Sequence, residues 1–171
     1  LSGFLITSLL LGERERSGRI DLKQFYVRRT RRLAPAVLVL FALVAVMLGT
    51  GALVTSTTLL GDAAATAGWI ANWRFLFSGQ TYDALFAAPS PFQHMWSLAV
   101  EEQFYLLFPG LLVLALGRTE RLHRWRAGLF VAAGIALSTY ACWHLFTPGE
   151  AERAYYGTDA RMAEPFMGAF L

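Results

Sequence analysis

Read for apolar and polar positions, the chain falls into long uncharged runs separated by charged ones. Leu33 to Val54, LAPAVLVLFALVAVMLGTGALV, holds 22 residues without a charge. At about 1.5 Å rise per residue, a helix of that length crosses a hydrocarbon core of roughly 30 Å. Pro35 then falls in the first turn, where a missing N–H costs little. Ala127 to Phe146 is a second run, of 20 residues, without Asp, Glu, Lys or Arg. Trp143 and His144 lie near its end, where amphipathic rings suit a membrane interface. Trp96 to Leu116 is apolar apart from Ser97, Glu101, Glu102 and Gln103. It is long enough to span if its carboxylates face a bundle interior. The pattern predicts complete spans at 33–54, 96–116 and 127–146, with partial spans at 1–11 and 162–171. The fold class is therefore all-α, part of a polytopic transmembrane helix bundle. The chain starts and stops inside apolar stretches, so it reads as an excerpt of a longer membrane protein.

The segment between the first two spans has a pattern of its own. Gly61 to Gly79, GDAAATAGWIANWRFLFSG, offers Asp62 as an N-cap and Gly79 as a C-cap. Trp69, Trp73 and Leu76 or Phe77 recur at helical spacing, but Asn72 and Arg74 make the stretch too polar to span easily. The expectation is one interfacial or re-entrant helix, followed by a Pro-punctuated turn over Ala87 to Gln93.

Charge placement orients the spans. Of 15 Lys and Arg, eight lie between Arg14 and Arg32 and four between Arg118 and Arg126. Three spans alternate between these segments and the other loops, so both basic loops fall on one side. By the positive-inside rule that side is cytoplasmic. The opposite loops agree: Thr55 to Met95 has one Arg against two Asp, and Thr147 to Ala163 has two Arg against three acidic residues. Composition supports the same class. Charged residues make up 16% of the chain and mean hydropathy is +0.44, against about a quarter charged in ordinary soluble domains. A nucleic-acid partner does not fit, because the basic clusters sit between uncharged apolar runs. The single cysteine, Cys142, allows no disulfide within the chain and no Cys-based zinc site.

Three segments carry candidate chemistry. In FYVRRTRRLAP, Phe25 to Pro35, four arginines occupy five positions where a basic loop enters the membrane. Arg forks bind phosphate bidentately, and Arg29 and Arg32 share a face if helical. The bland reading of the same cluster is an orientation signal with anionic lipid contact. In HMWSLAVEEQFYLLFP, His94 to Pro109, a helix puts His94, Ser97 or Leu98, Glu101 and Tyr105 on one face. Two adjacent carboxylates in a span are costly and call for a purpose, chemical or a structural ion pair. Pro109 in the same helix suggests a kink. In YYGTDAR, Tyr155 to Arg161, Gly157, Thr158 and Asp159 form a turn or cap, with Asp159 and Arg161 ionisable at the outer mouth of a span. No GxSxG, Walker loop, HExxH or Cys/His metal spacing occurs, and no metal site is expected. His123 and His144 are scattered from His94, and none of the three is a secure base.

Together, LSGFLIT (Leu1 to Thr7), FYVRRTRRLAP, HMWSLAVEEQFYLLFP and YYGTDAR resemble the motifs of the acyltransferase-3 family of integral membrane acyltransferases, in that family's order. The long outer loop with Asn72 and Trp73 is similar to members that modify surface polysaccharides. The resemblance implies that residues 1–171 are part of one membrane acyltransferase domain in the plasma or inner membrane. It implies an enzyme that moves an acyl group, usually acetyl, from cytoplasmic acyl-CoA to a hydroxyl of an extracytoplasmic glycan. Acyl-CoA would be a substrate, with no bound cofactor. Arg29 and Arg32, with Arg28 beside them, map onto the motif associated with donor handling. The span motif maps onto His94, Trp96, Ser97, Glu101, Gln103 and Tyr105, and the loop motif onto Gly157, Thr158, Asp159 and Arg161. Glu101 and Glu102 are the supporting catalytic candidates, Glu101 ranked first. His94, Ser97, Tyr105, Asp159 and Arg161 form the outer-side candidate set. The family's catalytic His would lie upstream of Leu1. The competing reading is a non-enzymatic polytopic protein, such as a polysaccharide exporter or a structural subunit.

Overall fold

A computed structural model describes residues 2–53, 56–78, 90–117, 124–146 and 151–170. Every element among the described residues is a helix: α1 Ser2–Ser17, α2 Leu22–Gly49, α3 Leu59–Ala67, α4 Ala71–Phe77, α5 Met95–Leu116, α6 Arg124–Leu145, α7 Glu152–Tyr156, α8 Thr158–Arg161 and α9 Ala163–Phe170. Three helices are long and apolar enough to cross a membrane: Leu22–Gly49, Met95–Leu116 and Trp125–Leu145. They match the three expected spans. The chain divides into two compact units, one of Leu1–Leu22 with Val100–Leu171 and one of Lys23–Ala99.

The first unit is built on glycines that let helices touch. A Cβ on Gly3 of α1 would stand 1.8 Å from the Pro165 carbonyl oxygen of α9, and one on Gly168 would lie 3.3 Å from the Phe4 nitrogen. Small residues at such crossings allow backbone-to-backbone packing, which is how helices associate in lipid. On α6, a Cβ at Gly134 would sit 2.6 Å from the Phe166 ring, so that glycine is the slot Phe166 fills. Phe104 and Phe108 stack at 4.6 Å, and Phe166 meets both edge-on at 5.3 and 5.9 Å. Phe130 completes the cluster. Along α5 the buried line runs Val100, Phe104, Phe108, Leu112, Leu116, one residue per turn. Leu106, Leu107, Leu114, Leu129, Leu137 and Trp143 are exposed, as suits helices bathed in lipid rather than water. α5 runs unbroken through Pro109. It ends at Gly117, whose φ of +69° only glycine adopts freely. There Arg14 of α1 donates to the Gly117 carbonyl at 2.9 Å, a cation at the negative end of the helix dipole.

In the second unit, Val44, Leu59 and Phe92 form a small core, with Leu40, Phe41, Leu48, Leu53 and Ala63 packed around it. This fastens α3 to the last turns of α2. Two expectations are corrected here. The arginine segment is not a loop ahead of the first span: α2 starts at Leu22 and runs helical through it. Pro35 therefore lies in the helix interior, where it withholds the N–H that the Arg31 carbonyl would accept. Charge marks where the apolar run starts; it does not mark where the helix starts.

The second correction concerns 61–79. The expected single helix is a pair, α3 and α4, broken at Gly68 and Trp69. The Trp69 N–H bonds the Thr66 carbonyl at 3.2 Å and the Ile70 N–H bonds the Ala65 carbonyl at 2.9 Å. These are the two bonds of a Schellman stop, with Trp69 at φ +57° where glycine is usual. Asp62 is not an N-cap. Thr58 holds that position, and buried Asp62 accepts from the Arg74 Nε at 3.3 Å across the pair. A Cβ on Gly61 would lie 2.7 Å from that guanidinium, so Gly61 gives it room. Gly79, Arg118, Arg121 and His123 lie outside the described residues.

Candidate functional site

The outer-side site is assembled by the short helices after α6. Gly157, buried and extended, separates α7 from α8. Arg153 of α7 reaches over it to Asp159 of α8 with both forks, at 2.8 and 2.7 Å. A Cβ on Gly157 would meet that guanidinium at 1.9 Å, so the glycine is the floor under the pair. The Asp159 carboxyl is held below its usual range by the Arg153 hydrogen bonds, which outweigh the opposing effect of burial. Three further bonds tie this corner to two spans. Thr158 Oγ1 donates to Gln103 Oε1 at 2.5 Å, Ser138 Oγ donates to the Asp159 carbonyl at 2.6 Å, and the Ala163 N–H donates to Ser138 Oγ at 2.8 Å. Arg161 pairs with Glu164 at 3.0 Å and lies 5.5 Å from the centre of the Tyr155 ring.

On α5 the two carboxylates divide. Glu101 Oε2 lies 3.4 Å from both the Tyr105 and the Ser2 hydroxyls. Among the described residues Glu101 is exposed, while Glu102 is 8% exposed. Adjacent helical positions point about 100° apart, and Glu102 continues the buried stripe of Met95 and Ala99. In the other unit, His94 is exposed just before α5, and its carbonyl accepts from Ser97 Oγ at 3.4 Å. At the charged start of α2, Arg28 and Gln24 are paired through their side chains. Arg29 is half-buried above buried Phe25, and Arg32 is exposed one turn further on. Among the described residues, no three His, Cys, Asp or Glu side chains gather as a metal site would require.

A family model described as an acyltransferase domain matches residues 1–171. The chain belongs to the acyltransferase-3 family. Relatives are 38% identical over the whole of this chain. They include peptidoglycan O-acetyltransferase OatA of Listeria monocytogenes, O-acetyltransferase OatA of Staphylococcus aureus and putative peptidoglycan O-acetyltransferase YrhL of Bacillus subtilis. The chain spans 27 to 28% of their lengths. No solved structure matches.

Within this acyltransferase domain, the structure joins Glu101 to Tyr105, and Asp159 to a residue that sequence reasoning passed over. Arg153 stands six positions before Asp159 across a glycine, a spacing that no helical or strand period marks. Ser138 was also missed. Its signal was a hydroxyl in the middle of a run that needed none.

Proposed function

We propose that the acyltransferase-3 protein to which this chain belongs is a plasma-membrane enzyme that O-acetylates a cell-wall glycan, taking acetyl from cytoplasmic acetyl-CoA. The observation that carries this reading is the match of the entire chain to peptidoglycan O-acetyltransferases. The distribution of charge supports the direction. Arg28, Arg29 and Arg32 gather at the start of α2, on the side that the positive-inside rule makes cytoplasmic. There their forks suit the phosphates of coenzyme A. In this reading the corner of Gly157, Thr158 and Asp159 serves the acceptor.

Chemically, a glycan hydroxyl oxygen attacks the thioester carbonyl, the C–S bond breaks, and the thiol leaves as free coenzyme A. A base takes the hydroxyl proton. By family resemblance that base is a His preceding Leu1. In this reading Glu101 orients or charges the polar path, hydrogen-bonded to Tyr105, and Asp159 stays anionic at its outer mouth.

The test is transfer by the full-length protein in sealed vesicles, with radiolabelled acetyl-CoA on the cytoplasmic side and muropeptide on the other. Label on the muropeptide as an alkali-labile ester is expected. Label that never leaves coenzyme A, or muropeptide that crosses unmodified, would replace the enzyme with a transporter.

A further inference from the structure

The pair of helices α3 and α4 is turned inside out for a protein in water. Between Leu59 and Ser78 the exposed residues are Leu60, Ala64, Ala67, Gly68, Ile70 and Phe77, all apolar or glycine. Leu60 is 83% and Phe77 78% exposed. The polar residues point the other way. Asp62, Thr66 and Asn72 are buried, and Arg74 folds back onto Asp62. A hairpin in water hides Leu and Phe and shows Asp and Asn, because apolar area in water is costly and buried polar groups must find partners.

We infer that this hairpin is a wedge seated in the lipid of the outer leaflet, its polar groups inward and its apolar rim against acyl chains. Three observations select lipid as the occupant. The hairpin is clamped through Leu59 and Ala63 to the last turns of α2, a spanning helix whose Leu43 and Val46 are themselves exposed, so the apolar rim continues a surface that already faces the bilayer. Trp69 sits in the turn, and Trp73 stacks on Phe77 at 6.0 Å; such rings favour the headgroup boundary. The Asp62–Arg74 pair satisfies its own charges, which removes the need for water on that side. An amphipathic element of this kind lies in the interface plane and does not cross.

The test is spin labelling of the full-length protein in vesicles of phosphatidylglycerol and phosphatidylethanolamine, with Cys142→Ala as background. Nitroxides are placed at Leu60→Cys and Phe77→Cys, with Ala151→Cys as the water-facing control. Collisions with dissolved oxygen and with a water-soluble nickel chelate are then compared. The inference expects an oxygen-to-nickel collision ratio well above the control at both sites. Free collision with nickel would put the rim in water. Protection from both reagents would mean that another part of the protein covers it. Either result overturns the inference. Should Leu60→Cys fail to fold, Ala64→Cys, on the same helix and also exposed, carries the same reading.

Discussion

Asp159 holds its charge to lower pH than an ordinary Asp because Arg153 can close on it over a residue with no side chain. The two are 44% and 33% exposed, so solvent screens the pair and its worth is about 0–1 kcal/mol. Its pKa lies below the ordinary Asp value. The stabilisation is therefore fully present above that value and fades as pH falls through the lowered one. Asp159→Asn should flatten the acid limb of a thermal-stability-versus-pH curve while leaving neutral stability within about 1 kcal/mol; an unchanged acid limb would contradict the pairing. The two carboxylates of α5 should part in the same way that their burial parts. Glu101→Gln is expected to abolish transfer by the full-length enzyme with insertion intact. Glu102→Gln should show itself first as a lower melting temperature, since it alters a buried group. Turnover and melting measured on both variants separate these outcomes. At the donor end, Arg29→Lys and Arg32→Lys keep the charge but lose the fork. Losing one charge-assisted bond worth about 1.5–3 kcal/mol should raise the KM for acetyl-CoA roughly 10- to 100-fold. Unchanged KM values would leave these arginines as orientation signals only.

At the level of elements, crossings are set by what is missing from a side chain. A methyl on Gly3 would collide with a backbone carbonyl, which no rotamer change relieves. Gly3→Ala should therefore cost about 1–3 kcal/mol by overpacking, read as loss of monodisperse protein in detergent. Gly134→Ala should be milder, because Phe166 is a side chain and can shift. The three spans were legible from the sequence because length and absence of charge are enough to name a span. The start of α2 was not legible, since its first residues are charged and charge is what a hydropathy reading treats as loop. Nor was the break at Trp69. The glycine that signals a stop stands one position early, and the left-handed residue is a tryptophan. In the candidate site, Asp159 could be found by motif. Its partner Arg153 and the tether at Ser138 could not, because three-dimensional packing and not periodicity brings them there.

For the whole molecule, the uneven charge makes orientation the most exposed claim. In the Cys142→Ala background, Ser17→Cys should resist an impermeant maleimide in intact cells and Ala151→Cys should react. The reverse pattern would invert every assignment of donor and acceptor side. The contact between Gly3 and α9 also bears on how the chain is made. Pro165 follows Gly3 by 162 positions, so this crossing cannot close until nearly all of the stretch between them has left the ribosome. At about 5–20 residues per second, that is a delay of roughly 8–32 s. During this interval α1 waits among lipids with its glycine face open. The same side of α1 carries Arg14, whose acceptor, the Gly117 carbonyl, lies 103 positions on, so α5 can hold the far end of α1 before α9 closes over Gly3.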